Sequence, residues 1–201
     1  TSALLVYKNK TKKLYTRGDG KQGTDISSML SFINFIPDVK SDIVVRGELL
    51  ISKSNFKKQG KSYVNSRAMV NGLVNKKQIN SDEIKLIDFI AYELVDPYYN
   101  VEKQMSLLKK EKFNVVNHIC LIDLNEDYLS EYLKKRKVNG EYDIDGLIIT
   151  DNGKHKRNTS GNPKYSFAFK NLLEDQIVET EVIDVEWNIS KDGLIKPRVN
   201  V

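Results

Sequence analysis

Asp42-Ile43-Val44-Val45-Arg46-Gly47-Glu48-Leu49-Leu50-Ile51-Ser52 is an apolar run with a charged break at its centre. Its β-branched and leucine residues predict a strand over residues 43–51. Arg46 and Glu48 stand two apart and so share one face of that strand. A carboxylate set between apolar neighbours needs a partner or a ligand, because burying it alone is costly. Two partners suit Glu48: the neighbouring Arg46, or a bound molecule.

Outward from this strand towards the N-terminus, residues 4–7 and 13–16 predict two more strands, joined by the polar turn 8–12. Gly18, Gly20 and Gly23 then make a loop in which backbone can approach a ligand closely. Met29, Leu30, Ile33 and Ile36 predict one face of a helix that starts near Asp25 and stops at Pro37. In the other direction, residues 66–76 predict a short helix that Gly72 weakens. A long β-rich run follows at 84–95, then a lysine-rich amphipathic helix at 101–112 and a strand at 115–122. The helix over 126–137 has Tyr128, Leu129, Tyr132 and Leu133 as its inner face. Strands at 143–150 and 164–170 flank a polar loop at 151–163. Beyond Lys170 an alternating strand runs over 176–187, and residues 189–195 read as a hairpin turning at Asp192-Gly193. Strands and helices mixed without strict alternation predict an α+β domain of antiparallel sheets with flanking helices. No internal repeat or low-complexity segment interrupts it.

The chain has 201 residues, 40% of them hydrophobic and 29% charged, enough for one real core and a small second module. Its one cysteine, Cys120, cannot form an internal disulfide, which predicts a reducing compartment such as the cytoplasm. The apolar run around it, His118-Ile119-Cys120-Leu121-Ile122, predicts a buried thiol rather than a nucleophile. No stretch reaches membrane-spanning length and no charged-then-apolar leader opens the chain, so no membrane partner is expected. The net charge is +5, and basic residues cluster at 8–13, 53–61, 109–112, 134–137 and 154–157. Each cluster alone reads as a solvated turn or helix end; together they point towards a polyanionic partner.

Four short motifs stand in order along the chain: Thr16-Arg17-Gly18-Asp19-Gly20, Arg46-Gly47-Glu48, Tyr142-Asp143-Ile144-Asp145-Gly146 and Ala168-Phe169-Lys170. With the strands that carry them, they resemble the adenylation domain of an NAD-dependent DNA ligase, over the whole chain. The resemblance implies the nucleotidyltransferase (ATP-grasp-like) fold of DNA ligases and mRNA capping enzymes over residues 1–171. Residues 172–201 would then be the start of an OB-fold, incomplete because such a barrel needs five strands. It implies an enzyme of DNA repair and replication at a bacterial or viral replication site. That enzyme seals nicks in double-stranded DNA through a lysyl-AMP intermediate, using NAD and Mg2+.

The family's catalytic lysine lies in a Lys-x-Asp-Gly box, and no such box occurs here. The chain opens where the strand after that box would stand, so the lysine is expected on an upstream segment or on a second polypeptide. By the same resemblance Glu48 holds the ribose hydroxyls of adenosine, Lys170 holds the AMP phosphate, and Asp145 stands near that phosphate and its metal. Without the resemblance, Lys170 is a solvent-facing strand end and Asp145-Gly146 a hairpin turn. Asn65-Ser66-Arg67 resembles the family element that sets an arginine, here Arg67, over the nucleotide. A second arginine expected some eight residues later is replaced by Asn75 or Lys76, and one before the Asp-Gly motif falls near Arg136 or Lys137. Tyr92 corresponds to an aromatic that stacks on adenine, and is equally readable as core. Arg17 and Asp19 shape a loop near the nicotinamide mononucleotide half of the site or the nick, rather than an adhesion tripeptide. Thr150 stands where the family carries a lysine that reads the adenine edge. Two other readings follow from the same motifs: an ATP-dependent DNA ligase, which would not share the loop at 16–23, and a non-catalytic nick-binding module.

Overall fold

The computed structural model describes residues 1–18, 22–156, 158, 161–170, 179–190 and 193–201. These fall into two compact units, Thr1–Lys170 and Asn171–Val201. In the first, β1 (Ser2–Lys8) and β2 (Thr11–Thr16) form a hairpin closed by Asn9 and Lys10. Both turn residues have positive φ, 51° and 60°, as a two-residue turn compatible with right-handed strand twist requires. β3 (Ile43–Ile51) pairs antiparallel with β1 on one side and β4 (Ile87–Asp96) on the other, giving the order β2-β1-β3-β4.

Period-two alternation in β3 sends Ile43, Val45, Gly47, Leu49 and Ile51 into the core. The core also takes Leu5, Leu14 and Phe89 from the other strands. Helix α1 (Lys53–Gln59) follows β3, and α2 (Ser66–Val74) adds Met69, Val70, Leu73 and Val74 to the core. A short α3 (Ser81–Ile84) precedes β4, and α4 (Val101–Lys110) contributes Met105 and Leu108. α5 (Glu126–Asn139) buries Leu129 and Leu133 but leaves Tyr128 exposed and Tyr132 half-buried. Each helix opens on a serine or asparagine whose side chain accepts a free backbone N–H of the first turn: Ser52, Asn65, Asn80, Asn100 and Asn125. β5 (Leu147–Thr150) and β6 (Ser166–Phe169) form a separate antiparallel pair. Mixed helices and antiparallel sheets agree with the α+β expectation.

Several sequence expectations are corrected. The helix expected from Asp25 is a single 3-10 turn, Ser27–Met29. Its apolar residues still reach the core, but the backbone of Asn34 bonds to β4 instead, accepting from Phe89 N at 3.1 Å and donating to Ile87 O at 2.9 Å. Phe35 then turns the chain with φ 63°. The strand expected at 115–122 reduces to one parallel bridge, Val115 to Ala91. The β3–β4 register shifts between Arg46 and Gly47, leaving Tyr92 as an extra residue on β4. Such a bulge breaks the ladder just beyond Ala91, so the segment leaves the sheet edge. Cys120 is consequently exposed, not buried. The strand expected at 143–150 begins only at Leu147, and that at 164–170 only at Ser166.

In the second unit, β7 (Asp184–Ile189) and β8 (Ile195–Asn200) pair antiparallel around Gly193, φ 76°. Register puts Val185, Trp187 and Ile189 on the same face as Val199, Pro197 and Ile195, and the other face is polar. Of the strand expected at 176–187, residues 176–178 lie outside the described residues, and so does Asp192 of the turn. Among the described residues no helix is long and apolar enough to cross a membrane.

Candidate functional site

Because Gly47 and Leu49 point into the core, Glu48 and Arg46 stand together on the opposite face of the sheet. They do not pair with each other. Arg46 Nη1 meets Glu93 Oε2 at 2.5 Å, across to β4. Glu48 Oε1 lies 2.8 Å from Thr1 N, while Leu49 N donates to Thr1 O at 2.8 Å. Register sets Ser2 of β1 directly opposite Glu48. The Ser2 hydroxyl in turn meets the Tyr92 hydroxyl at 2.9 Å. Tyr92 is therefore half-buried on the polar face rather than part of the core. Burial pushes its hydroxyl pKa upward; Glu48 and Glu93 push the same way, against the Ser2 bond and Arg46.

Arg17 adjoins this end of the sheet, its N–H donating to Ser2 O at 3.1 Å, and its side chain is exposed. Gly18 has φ 56°, and a Cβ there would fall 1.8 Å from Gln22 O, so a side chain is excluded twice over. Asp19 lies outside the described residues.

A second group forms around α2. Asn65 caps that helix, which puts Arg67 in its first turn, where backbone N–H groups already favour an anion. Arg67 Nη2 lies 3.3 Å from Asp145 Oδ2. Asp145-Gly146 leads into β5, and β5 pairs with β6 so that Leu147 faces Phe169, one residue before Lys170. A Cβ on Gly146 would fall 2.4 Å from Phe169 O and 2.8 Å from Lys170 Cγ. Bare glycine is what lets the Lys170 stem run beside the Asp145 loop.

Helix α2 joins the two groups. Asn71, four residues and one turn after Arg67, shares its side of the helix and bonds to the Thr1 hydroxyl beside Glu48. Chemically the assembly offers a carboxylate acceptor and an aromatic ring on a polar sheet face. Arg67 meets a carboxylate at the start of the neighbouring helix, and the Lys170 stem runs beside the same loop.

At the positions implied for further family cations, the Asn75 and Lys76 side chains are engaged locally. Lys76 Nζ meets Glu83 at 2.6 Å, and Asn75 Nδ2 donates to Asn71 O. Arg136 and Lys137 occupy the last turn of α5, and Lys137 O accepts from Lys53 Nζ at 2.6 Å. The Thr150 hydroxyl lies 2.8 Å from that of Ser166 on the paired strand. Three of the five basic clusters supply the last turns of α1, α4 and α5, where cations complement the helix dipole. Among the described residues no three His, Cys, Asp or Glu side chains converge as a metal site.

Sequence reading did not find Ser2 or Asn71. The parity of β1 was the available signal for Ser2, once its register against β3 is known. Asn71 carries no such signal, since an exposed helical asparagine is unremarkable by itself.

The model of a family described as the NAD-dependent DNA ligase adenylation domain matches residues 1–173. The DNA ligase of Acanthamoeba polyphaga mimivirus is 42% identical over 204 residues, covering 98% of this chain and 32% of that protein. A relative from Invertebrate iridescent virus 6 is 36% identical over 213 residues, 100% of this chain and 34% of its own length. The DNA ligase of Mycoplasmopsis agalactiae is 29% identical over 216 residues, 99% of this chain and 32% of that protein. The chain thus spans about a third of the length of the curated relatives it matches.

Proposed function

The chain belongs to the NAD-dependent DNA ligase adenylation domain family, and on that footing we propose that it forms the nucleotide site of an enzyme that seals DNA nicks. A lysine from a Lys-x-Asp-Gly segment outside this chain attacks the α-phosphate of NAD and nicotinamide mononucleotide leaves. AMP then passes to a 5′-phosphate, and the 3′-hydroxyl displaces it to close the nick. The observation that carries this reading is that α2 links the Glu48–Ser2–Tyr92 face to the Arg67–Asp145 pair beside Lys170.

Glu48 accepts the ribose hydroxyls, whose diol geometry suits a carboxylate acceptor. Tyr92 offers its ring to the adenine. Lys170 and Arg67 meet the phosphate, where negative charge builds in the transition state. Asp145 orients Arg67, and Arg17 with Asp19 borders the nicotinamide mononucleotide side. The preference for NAD over ATP is assigned to the loop at 16–23 and to the Asn65–Arg67 element. Magnesium would be borne mainly by the phosphates, with Asp145 a protein carboxylate that would stand near it. When bound, that ion would neutralise phosphate charge. Thr1–Lys170 is assigned to the nucleotidyltransferase fold. The β7–β8 hairpin, with one apolar face, is assigned to the first strands of an OB-fold. Nicked double-stranded DNA is the proposed partner, drawn by the lysine clusters.

The test uses the polypeptide that carries this chain with the Lys-x-Asp-Gly segment, labelled NAD and magnesium, read by denaturing electrophoresis. Lys170→Ala removes a phosphate contact of about 2–4 kcal/mol in the transition state, and labelling falls accordingly. Glu48→Ala also lowers labelling sharply, while Lys110→Ala leaves it unchanged. If Lys110→Ala is as damaging as Lys170→Ala, the site is misplaced. Better labelling from ATP than from NAD overturns the choice of adenylyl donor.

A further inference from the structure

Asp88 is a buried carboxylate on β4, 6% exposed, and no role above uses it. Among the described residues its hydrogen-bond partners are neutral. Its Oδ1 accepts from Asn34 Nδ2 at 2.9 Å and its Oδ2 accepts from the Tyr142 hydroxyl at 2.9 Å. Tyr142 is the first residue of the motif that ends in Asp145-Gly146, and the segment from 140 to 146 belongs to no helix or strand. Its path is therefore set by where its groups are tied.

Several ties hold it. Lys53 N donates to Glu141 O at 2.9 Å. The Ser66 hydroxyl donates to Asp143 at 3.3 Å, and Arg67 meets Asp145 at 3.3 Å. The last two are exposed, both partners of the Arg67 pair being 69% accessible, and such contacts hold geometry weakly. Tyr142–Asp88 is the side-chain tie of this segment that reaches a buried group, and it is charge-assisted, the stronger kind of hydrogen bond. It also fastens the motif to the same strand that presents Tyr92 four residues on.

We propose that Asp88 is a positioning residue: through the Tyr142 hydroxyl it fixes the 142–146 segment, and with it Asp145 and the Gly146–Lys170 contact, relative to β4. This rests on the functional reading above, in which Asp145 and Lys170 serve the phosphate. A misplacement of about 1 Å at a reacting centre costs up to about 10²-fold in rate. Loss of a single tether in a segment with several others should give about a tenfold loss.

The test is a coupling experiment in the polypeptide that carries the Lys-x-Asp-Gly segment. Tyr142→Phe, which keeps the ring and deletes the hydroxyl, is expected to lower the self-adenylylation rate at saturating NAD about tenfold. The KM for NAD and the melting temperature should stay close to the parent. Asp88→Asn is expected to slow the step likewise, and the double variant to be no slower than the worse single. Asn34→Ala removes the other donor to Asp88, on the side away from the motif, and should leave the rate within twofold. The proposal fails if Tyr142→Phe is within twofold of the parent. It also fails if the double variant multiplies the single losses, or if Asn34→Ala slows the reaction as much as Tyr142→Phe. Should Asp88→Asn not fold, the contrast between Tyr142→Phe and Asn34→Ala still decides. Lys170→Ala, run alongside, separates the two levels. If it is harmless, the functional reading itself falls; if it is damaging while Tyr142→Phe is silent, only the tether does.

Discussion

Gly47 sits between Arg46 and Glu48 with its missing side chain aimed into the core. A Cβ there would fall 2.5 Å and 2.6 Å from Phe89 Cζ and Cε2, and 2.7 Å from Ile90 O. Ordinary contact begins at 3.4 Å, so Gly47→Ala leaves a shortfall of about 0.9 Å against a ring that is wholly buried. The ring has little room to turn, and the Ile90 carbonyl is backbone held in the β3–β4 ladder. The strands must part, and overpacking of this kind costs about 1–3 kcal/mol. The backbone member of the clash argues for the upper end, near 3 kcal/mol, which for a domain of this size lowers the melting temperature by about 6–12 °C. Parting β3 from β4 also moves Glu48 away from Tyr92, and adenylylation should drop by up to about 10²-fold. Thermal unfolding followed by circular dichroism measures the first effect, and NAD labelling in the polypeptide with its lysine segment measures the second. Phe89→Leu removes the two clashing ring atoms, so the pair Gly47→Ala/Phe89→Leu should lose less stability than the two singles added together. A Gly47→Ala protein melting within 2 °C of the parent, with labelling within twofold, would refute the steric account of this glycine.

Asp25 has its carboxyl pKa lowered to about 2 by hydrogen bonds from Ser27 and then Lys13. A depressed carboxylate adds stability that is complete above its ordinary value of 3.8 and is lost as pH falls through about 2. Asp25→Asn should therefore flatten the urea midpoint against pH between 4 and 2, and parallel losses in parent and variant would contradict this. Cys120 is exposed and should react with a thiol reagent in the native protein without denaturant; protection until unfolding would restore the buried reading. Leu73→Ala, at a site 1% exposed in the core beneath β3, should cost about 2–5 kcal/mol in urea unfolding while leaving the site residues untouched.

The strands that carry the site were legible because their signal is local. Alternation along residues 43–51 shows which side chains share a face, and it put Arg46 and Glu48 together. The glycine at 18 is equally local, since its positive φ answers a demand of the backbone at its own position. Motif order named the family without any packing at all. Partnership was not legible. Arg46 and Glu48 share a face yet Arg46 pairs with Glu93, because the cross-strand neighbour lies closer than the residue two along, and register decides which neighbour that is. The helix read at 25–36 had its apolar residues right and its backbone wrong, whereas the strand read at 115–122 had neither, since Val116, Ile119, Leu121 and Ile122 are exposed. In the first, Asn34 takes up hydrogen bonds that β4 offers, and these outweigh a periodicity that differs by only a few residues. Asp88 is the sharpest case. In sequence it is one acidic residue in an apolar run, and its meaning comes from Tyr142, 54 residues away. Residue type and spacing determined the family and the faces of the strands; only the folded chain decided which side chains meet, because contact across strands depends on register and bulges that no local pattern encodes.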